Sequence, residues 1–203
     1  MPYIIPMIDT LPIFPLQSVF LFPGTLLPLH IFEPRYRLML EYCMENDEEM
    51  AITNIRRSGE IEPIFGWGKV IKRESLTDGR SNIVLQGMGV AKLIRYKSQE
   101  PFIIASVEKR ENDFSHVGTG EYAQKLDQVL YLTKKHLINL KADDTFLNDL
   151  EKLREHPFPI DVIASFLDIN PKIKKEILVM QDQISRADII INFLTNKLKE
   201  ENL

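Results

Sequence analysis

Residues 21–40, LFPGTLLPLHIFEPRYRLML, carry the signals for a turn, a strand and a helix in direct succession. Pro23 and Gly24 predict a turn, because proline fixes its own φ and glycine accepts backbone angles that other residues resist. The apolar run Leu26–Ile31 then predicts a strand. Because Pro28 has no N–H to donate to a ladder, we expect this strand to lie at a sheet edge or to carry a bulge.

The same stretch ends in a predicted helix start at Glu33 and Pro34. Proline is tolerated at the first helical position, and an acidic residue suits the positive end of a helix. The helix has a broad apolar side, formed by Tyr36, Leu38, Met39, Leu40, Tyr42 and Cys43. His30 and Glu33 have the i, i+3 spacing of a metal-ligand pair. They flank a strand-to-helix junction, however, so we interpret Glu33 as a residue that satisfies the helix start or pairs with Arg35 or Arg37.

Up to residue 112, short runs rich in Ile, Val and Phe alternate with turn signals. This spacing predicts a compact, mostly antiparallel β domain with one inserted helix. Residues 77–80, TDGR, predict a hairpin turn because Asp-Gly adopts positive φ at little cost. Four glycines inside strand patterns predict bulges or close backbone approaches: Gly66, Gly68, Gly87 and Gly89. The result is a small twisted sheet or partly open barrel.

Residues 113–120 read as a linker, and after them the apolar period changes from 2 to about 3.6. Five amphipathic helices are predicted in this region, with apolar residues spaced by three and four. The last stripe, residues 184–198, is compatible with pairing between chains, but burial within a bundle is the simpler interpretation. We therefore predict an α+β protein with a β-rich domain at 1–112, a linker at 113–120 and a helical bundle at 121–203.

The order of residues along 15–40 resembles the start of the N-terminal substrate-recognition domain of Lon-type ATP-dependent proteases. The matching string is PLxxVxLFPGxxLPLHIFEPRYRxML, and its turn, strand-end and helix-start positions are Pro23, Gly24, His30, Glu33, Pro34, Arg35 and Tyr36. These seven residues are interpreted as architecture. The second half resembles the family less sharply, through Ala164, Leu167, Ile177, Leu178 and Arg186. The resemblance implies a stand-alone Lon-domain protein whose β domain is PUA-like.

Motifs for catalysis are missing from the sequence. The resembled proteases use an ATPase module and a Ser-Lys peptidase module, yet the chain contains neither a G-x-x-x-x-G-K-[ST] loop nor a G-x-S-x-G elbow. His116, His136 and His156 are widely separated, and Cys43 is the single cysteine. We therefore expect no enzymatic activity, no cofactor and no metal site.

The resemblance implies a protein-binding role, with unfolded or exposed apolar segments as the ligands and a Lon-type protease as a further partner. Such binding requires an exposed apolar patch or a free sheet edge. The candidate peptide-binding residues are Trp67, Phe65, Phe22, Phe20 and Phe32. Trp67 is the first choice, because its glycine neighbours leave room beside the ring and offer little cover.

An alternative is RNA binding, since some PUA-like domains bind RNA. It would require six cations to share one face: Lys69, Lys72, Arg73, Lys92, Arg95 and Lys97. Divided after Asp113, the chain has 13 basic and 15 acidic residues and then 12 and 14, so neither half shows the positive excess expected of a nucleic-acid-binding surface. We interpret these cations as a solvated face.

Composition is typical of a soluble globular protein, with 44% hydrophobic and 27% charged residues among 203. The N-terminus MPYIIPMIDT lacks a positive region, and Pro6 interrupts its apolar run, so it does not resemble a signal peptide. No stretch approaches the roughly twenty apolar residues of a membrane span. Cys43 is interpreted as a buried hydrophobe. We expect a cytoplasmic protein with no membrane partner.

Overall fold

A computed structural model of the protein describes residues 8–56 and 58–201; residue 57, the last two residues and residues 1–7, including the interrupting Pro6, lie outside it. The chain divides into two compact units with the boundary between Glu111 and Asn112. The first unit holds the strands and one helix, and the second is helical. The predicted α+β class is confirmed.

The described residues of the first unit form six strands and one helix, in the order β1 (Ile8–Pro15), β2 (Leu26–Ile31), α1 (Pro34–Glu45), β3 (Glu49–Thr53), β4 (Ile64–Ser75), β5 (Ser81–Ser98) and β6 (Ile103–Arg110). The sheet order is β2-β5-β4-β3-β1-β6, and β6 also pairs with β5. Strands β5, β4, β3, β1 and β6 therefore close on one another, while β2 lies beside the first half of β5. The β1–β3 pair is parallel, and every other named pair is antiparallel.

The backbone of Leu21 and Phe22 crosses the sheet at two glycines of the strands β4 and β5. A Cβ on Gly66 would lie 1.9 Å from the Leu21 carbonyl oxygen, and one on Gly87 would lie 2.0 Å from that of Phe22. The crossing is followed by a turn in which Thr25 N–H donates to the Phe22 carbonyl (3.2 Å) and Gly24 has a φ of 73°. The predicted close approach and turn are both confirmed.

Strand β5 is the longest named strand, with 18 residues from Ser81 to Ser98. Its ladder with β4 passes from Trp67 opposite Gly89 to Gly68 opposite Gly87, so Met88 is the extra residue of a bulge. The bulge shifts the register without ending the pairing. The predicted hairpin at residues 77–80 is confirmed, with Leu76 N–H donating to the Arg80 carbonyl at 2.8 Å.

Helix α1 begins at Pro34 as predicted, with Glu33 as the N-cap residue. The Glu33 side chain makes no capping bond and instead pairs with Arg35 at 3.0 Å. Cys43 is fully buried in the main core of this unit, together with α1 residues Met39 and Leu40. Burial raises the pKa of the Cys43 thiol to about 12, so the side chain acts as a small hydrophobe.

Up to residue 201, where the described part of the chain ends, the second unit contains five α-helices and one 3-10 turn: α2 (Gly120–Asn139), α3 (Asp144–Lys152), the turn Leu153–Glu155, α4 (Pro159–Phe166), α5 (Pro171–Val179) and α6 (Gln183–Glu201). The five predicted helices are confirmed. The α6 stripe is buried within this unit at Ala187, Ile190, Ile191, Leu194 and Leu198. Packing within the helical unit therefore explains the apolar residues along α6.

A buried ion pair lies at the centre of the second unit. Arg186 is 1% exposed, and its Nη1 donates to Oδ1 of the fully buried Asp161 at 2.5 Å. The same guanidinium donates to the Met180 carbonyl (2.8 Å) and to Asn112 Oδ1 (3.0 Å). Burial raises the pKa of Asp161, and the charge of Arg186 opposes that rise. One side chain thus joins α4, the segment before α6 and the first residue of the unit.

Candidate functional site

Strand β2 forms an edge of the sheet. Within the described residues, it pairs with β5 and with no other strand. Gly87 N–H donates to the Thr25 carbonyl at 2.8 Å, and bonded pairs recur at every second residue of an antiparallel ladder. The backbone groups of Leu26, Pro28 and His30 therefore point away from β5. Pro28 occupies an outward position, where its missing N–H removes no ladder bond, so the predicted edge strand is confirmed.

The exposed face of β2 continues across two neighbouring strands. Two cross-strand rows run side by side, Pro28–Val84–Lys72 and His30–Asn82–Glu74. With Leu29 and Ile83 they line a groove of about 340 Å³. We refer to the outward-facing side chains of this region as the β2 face: Leu26, Pro28, His30, Lys72, Glu74, Asn82 and Val84. The groove has an apolar floor at Pro28 and Val84, and it is charged on the β4 side at Lys72 and Glu74.

Hydrogen bonds fix the polar row of the β2 face. His30 Nδ1 lies 2.7 Å from Asn82 Oδ1, and Asn82 Nδ2 donates to Glu74 Oε2 at 3.2 Å. Arg80 Nη1 lies 3.4 Å from His30 Nε2. The Nδ1–H tautomer satisfies both contacts of the imidazole, because Nδ1 then donates and Nε2 accepts. His30 is thus exposed yet held in place by its neighbours.

Two large apolar side chains mark the ends of β2. Leu26 is 60% exposed, and Phe32, one of the predicted peptide-binding residues, is 55% exposed. The Phe32 ring stacks on His30 with centroids 6.0 Å apart. Arg37 Nε donates to the Phe32 carbonyl (2.9 Å) and its Nη1 to that of Asp78 (3.1 Å), which ties this end of β2 to the β4–β5 hairpin. Phe32 is therefore held beside the β2 face.

The other predicted aromatic residues lie elsewhere. Phe22 and Phe65 are 0% and 1% exposed, a location that removes them from any binding surface. Phe22 is buried because its backbone crosses Gly87. Phe20 is half-buried, with its ring 6.4 Å from that of Phe22. Of the four phenylalanines and tryptophan proposed, Phe32 alone lies at the β2 face.

Trp67 is covered by a neighbour that the sequence did not suggest. Lys109 Nζ lies 3.9 Å from the ring centroid and is held there by Glu49 (2.6 Å) and Asp9 (2.9 Å). Burial acts to lower the pKa of Lys109, but hydrogen bonds to these two carboxylates outweigh it and raise the pKa. The ammonium therefore stays charged over the indole. The expectation that glycine neighbours leave this ring with little cover is corrected by that contact.

The six cations of the RNA alternative do not form one surface. The three on β4 lie opposite residues 83–86 of β5, whereas Lys92 lies opposite Ile64 at the other end of β4. At about 3.3 Å per residue, the two groups are separated by roughly 20 Å along β5. Lys69 and Arg73 form ion pairs with Glu48 and Glu41, respectively. The β4–β5 register therefore separates the six cations, which do not share one face.

One group of side chains in the described residues brings three potential metal ligands close together, an arrangement that the sequence did not predict. Asp113, His116 and Asp182 each place one ligand atom within 4.8 Å of the others. Hydrogen bonds from Ser115 lower the pKa of Asp113. For Asp182, burial acts to raise the pKa, but bonds from Ser185 and Ile184 outweigh it and lower the pKa. Both carboxyl groups are therefore ionised at neutral pH.

The described helices include none with the length and apolar character needed to cross a bilayer.

Comparisons with known proteins agree on one family. The model of the ATP-dependent protease La (LON) substrate-binding domain matches residues 10–196. Lon protease of Brevibacillus choshinensis is 24% identical over an alignment of 199 residues that covers 92% of this chain and 25% of the relative. Lon protease of Campylobacter jejuni is 24% identical over an alignment of 202 residues that covers 95% of this chain and 25% of the relative. The chain spans about a quarter of the length of these curated relatives.

Solved structures show the same fold. The N-terminal domain of Mycobacterium avium complex Lon protease superposes with a TM-score of 0.75 at 14% identity, covering 92% of this chain and 98% of that one. The Lon N-terminal domain protein from Xanthomonas campestris gives a TM-score of 0.62 at 18% identity, covering 91% and 98%. These likenesses concern the fold, and 98% of each neighbouring chain is matched.

Proposed function

This chain belongs to the family of ATP-dependent protease La (LON) substrate-binding domains, and on that premise we propose that it recognises protein substrates and performs no catalysis itself. The observation that carries the proposal is the family match, which extends over residues 10–196 and thus across both units. The ligands proposed are unfolded polypeptides or exposed apolar segments. A Lon-type protease is the proposed partner, and a cytoplasmic location is part of the same proposal.

The β2 face is the proposed binding surface, because it offers an extended chain two kinds of contact. The outward backbone groups of Leu26 and His30 can pair with an added strand, as sheet edges do in peptide recognition. The apolar floor at Pro28 and Val84 can receive alternate side chains of that strand. Because Pro28 cannot donate, the added ladder is interrupted in its middle. Side-chain contacts then contribute a larger share of the affinity.

Leu26 and Phe32 are the residues whose loss should weaken this binding most. Both are more than half exposed, so Leu26→Asp and Phe32→Asp change the surface without opening a cavity. Fluorescence anisotropy with a labelled, permanently unfolded polypeptide measures the effect. We expect each variant to raise the Kd about tenfold, which corresponds to ~1.4 kcal/mol.

A matched control is Ile94→Asp, which places the same charge on an exposed apolar position at the far end of β5. Its Kd should stay close to that of the wild type. Equal weakening by all three variants would reject the β2 face while leaving the recognition role in place. No anisotropy change at high micromolar protein would count against the recognition role itself. Parallel assays for ATP hydrolysis and peptide cleavage should remain at background.

A further inference from the structure

We propose that Asp113, His116 and Asp182 bind a divalent transition-metal cation, with Zn²⁺ as the best fit. The three side chains come from two separate parts of the second unit. Asp113 and His116 precede α2, and Asp182 immediately precedes α6. A parallel bridge joins Asp113 to Asp182, and Asp113 N–H donates to the Gln181 carbonyl at 3.2 Å. The backbone therefore holds both segments together without help from the side chains.

The donor set suits such a cation. One imidazole and two carboxylates are common zinc ligands, and three protein ligands leave further positions open. Bonds of about 2.0–2.2 Å in a tetrahedral arrangement place ligand atoms roughly 3.4 Å apart. The ligand atoms already lie within 4.8 Å of one another. Side-chain rotation alone can therefore close the remaining distance, because all three are at the surface or half-buried.

Neighbouring backbone groups already orient the carboxylates. Ser115 N–H donates to Asp113 Oδ1 at 2.9 Å, and Ser185 N–H donates to Asp182 Oδ2 at 2.8 Å. Hydrogen bonds of this kind typically fix metal ligands in place. The Ser185 hydroxyl also donates to Asp182 Oδ2, so both lone pairs of that oxygen are occupied. Asp182 Oδ1, which accepts from Ile184 N–H at 3.3 Å, retains a lone pair for a cation, as does the Asp113 carboxylate.

Charge balance gives a separate reason for a cation here. The two carboxylates repel each other, because their oxygen atoms lie within 4.8 Å. Within residues 8–56 and 58–201, no Lys or Arg forms an ion pair with either carboxylate. A divalent cation would neutralise two negative charges at one point, and it would join the segment before α2 to the start of α6.

Isothermal titration of the full chain with ZnCl₂ tests the proposal. We expect one saturable site per chain and a rise in the melting temperature with zinc, because a ligand that binds the native state stabilises it by mass action. His116→Ala and Asp113→Asn should each weaken binding by at least about tenfold. Asp182 is not substituted, because its carboxylate accepts hydrogen bonds from the Ile184 and Ser185 N–H groups at the start of α6. His30→Ala is the control for zinc binding by an exposed imidazole, and it should leave the site intact.

Cobalt gives an independent readout, since the visible absorption of Co²⁺ reports its coordination. The wild type should show a saturable cobalt spectrum that both site variants lose while their circular dichroism is unchanged. The proposal is overturned if zinc does not bind saturably up to about 1 mM, or if both site variants bind zinc as the wild type does. Because the second unit's cation site and the β2 face are tested by different ligands, one result does not decide the other.

Discussion

Replacing Arg186 by Met is expected to lower the free energy of unfolding of the second unit by about 3–5 kcal/mol. The substitution leaves Asp161 fully buried without its counter-charge and removes the bonds to Met180 and Asn112. Desolvation of that carboxylate is then uncompensated, and the residue must either stay charged at high cost or take up a proton. Urea unfolding followed by helical circular dichroism measures the loss, because this unit contains five of the six described helices.

Two further variants sharpen this experiment. Lys197→Met removes an exposed cation from the same helix, one whose nearest partner is Glu200 at 3.8 Å, and should change stability by less than about 1 kcal/mol. Arg186→Met combined with Asp161→Leu removes both charges and should recover much of the lost stability, since apolar pairs often replace buried ion pairs at little cost. A single Arg186→Met variant as stable as Lys197→Met would show that the buried pair contributes nothing.

Gly66→Ala and Gly87→Ala are expected to destabilise the first unit by more than the about 1–3 kcal/mol of ordinary overpacking. In each case the added Cβ meets a backbone carbonyl, of Leu21 or Phe22, at 2.0 Å or less. A backbone carbonyl cannot move away by side-chain rotation, so the segment that contains Leu21 and Phe22 must shift away from the sheet. Trp67 lies in this unit and is the single tryptophan of the chain, so its fluorescence reports the unfolding.

Gly120→Ala is the matched control, because nothing lies within 4 Å of a Cβ built there. It should leave both unfolding transitions within about 0.5 kcal/mol of the wild type. If Gly66→Ala unfolds at the same urea concentration as Gly120→Ala, the close approach of the backbone is not a constraint on folding.

Local chemistry explains which parts of the fold could be predicted. Pro28 indicates an edge strand because it lacks a donor, and Asp78-Gly79 indicates a hairpin because of its φ preferences. Both signals act over a few residues. The pairing of β1 with β6 could not be predicted in this way, because partners as far apart in sequence as Ile13 and Ile103 leave no periodic trace. The full length of β5 was also not predicted, although Gly87 and Gly89 indicated the bulge that the strand carries at Met88.

The candidate site was less predictable because exposure depends on register. Phe65 and Trp67 lie two residues apart on one strand, yet Phe65 is buried and Trp67 is covered by Lys109 from β6. Part of the polar row His30–Asn82–Glu74 could have been predicted from the sequence, since the hairpin at residues 77–80 places Glu74 opposite Asn82. The group formed by Asp113, His116 and Asp182 could not have been predicted. His116 and Asp182 are 66 positions apart in the sequence, and a backbone bridge between Asp113 and Asp182 brings their segments together.

The crossing of Leu21 and Phe22 over the glycines also sets an order of events during synthesis. The surface on which these two residues lie is made by Gly66 and Gly87, which follow them by more than forty residues. A growing chain therefore carries this apolar pair without a place to bury it until the whole β4–β5 hairpin has left the ribosome. The segment with the clearest local signals is thus among the last in the first unit to reach its native contacts.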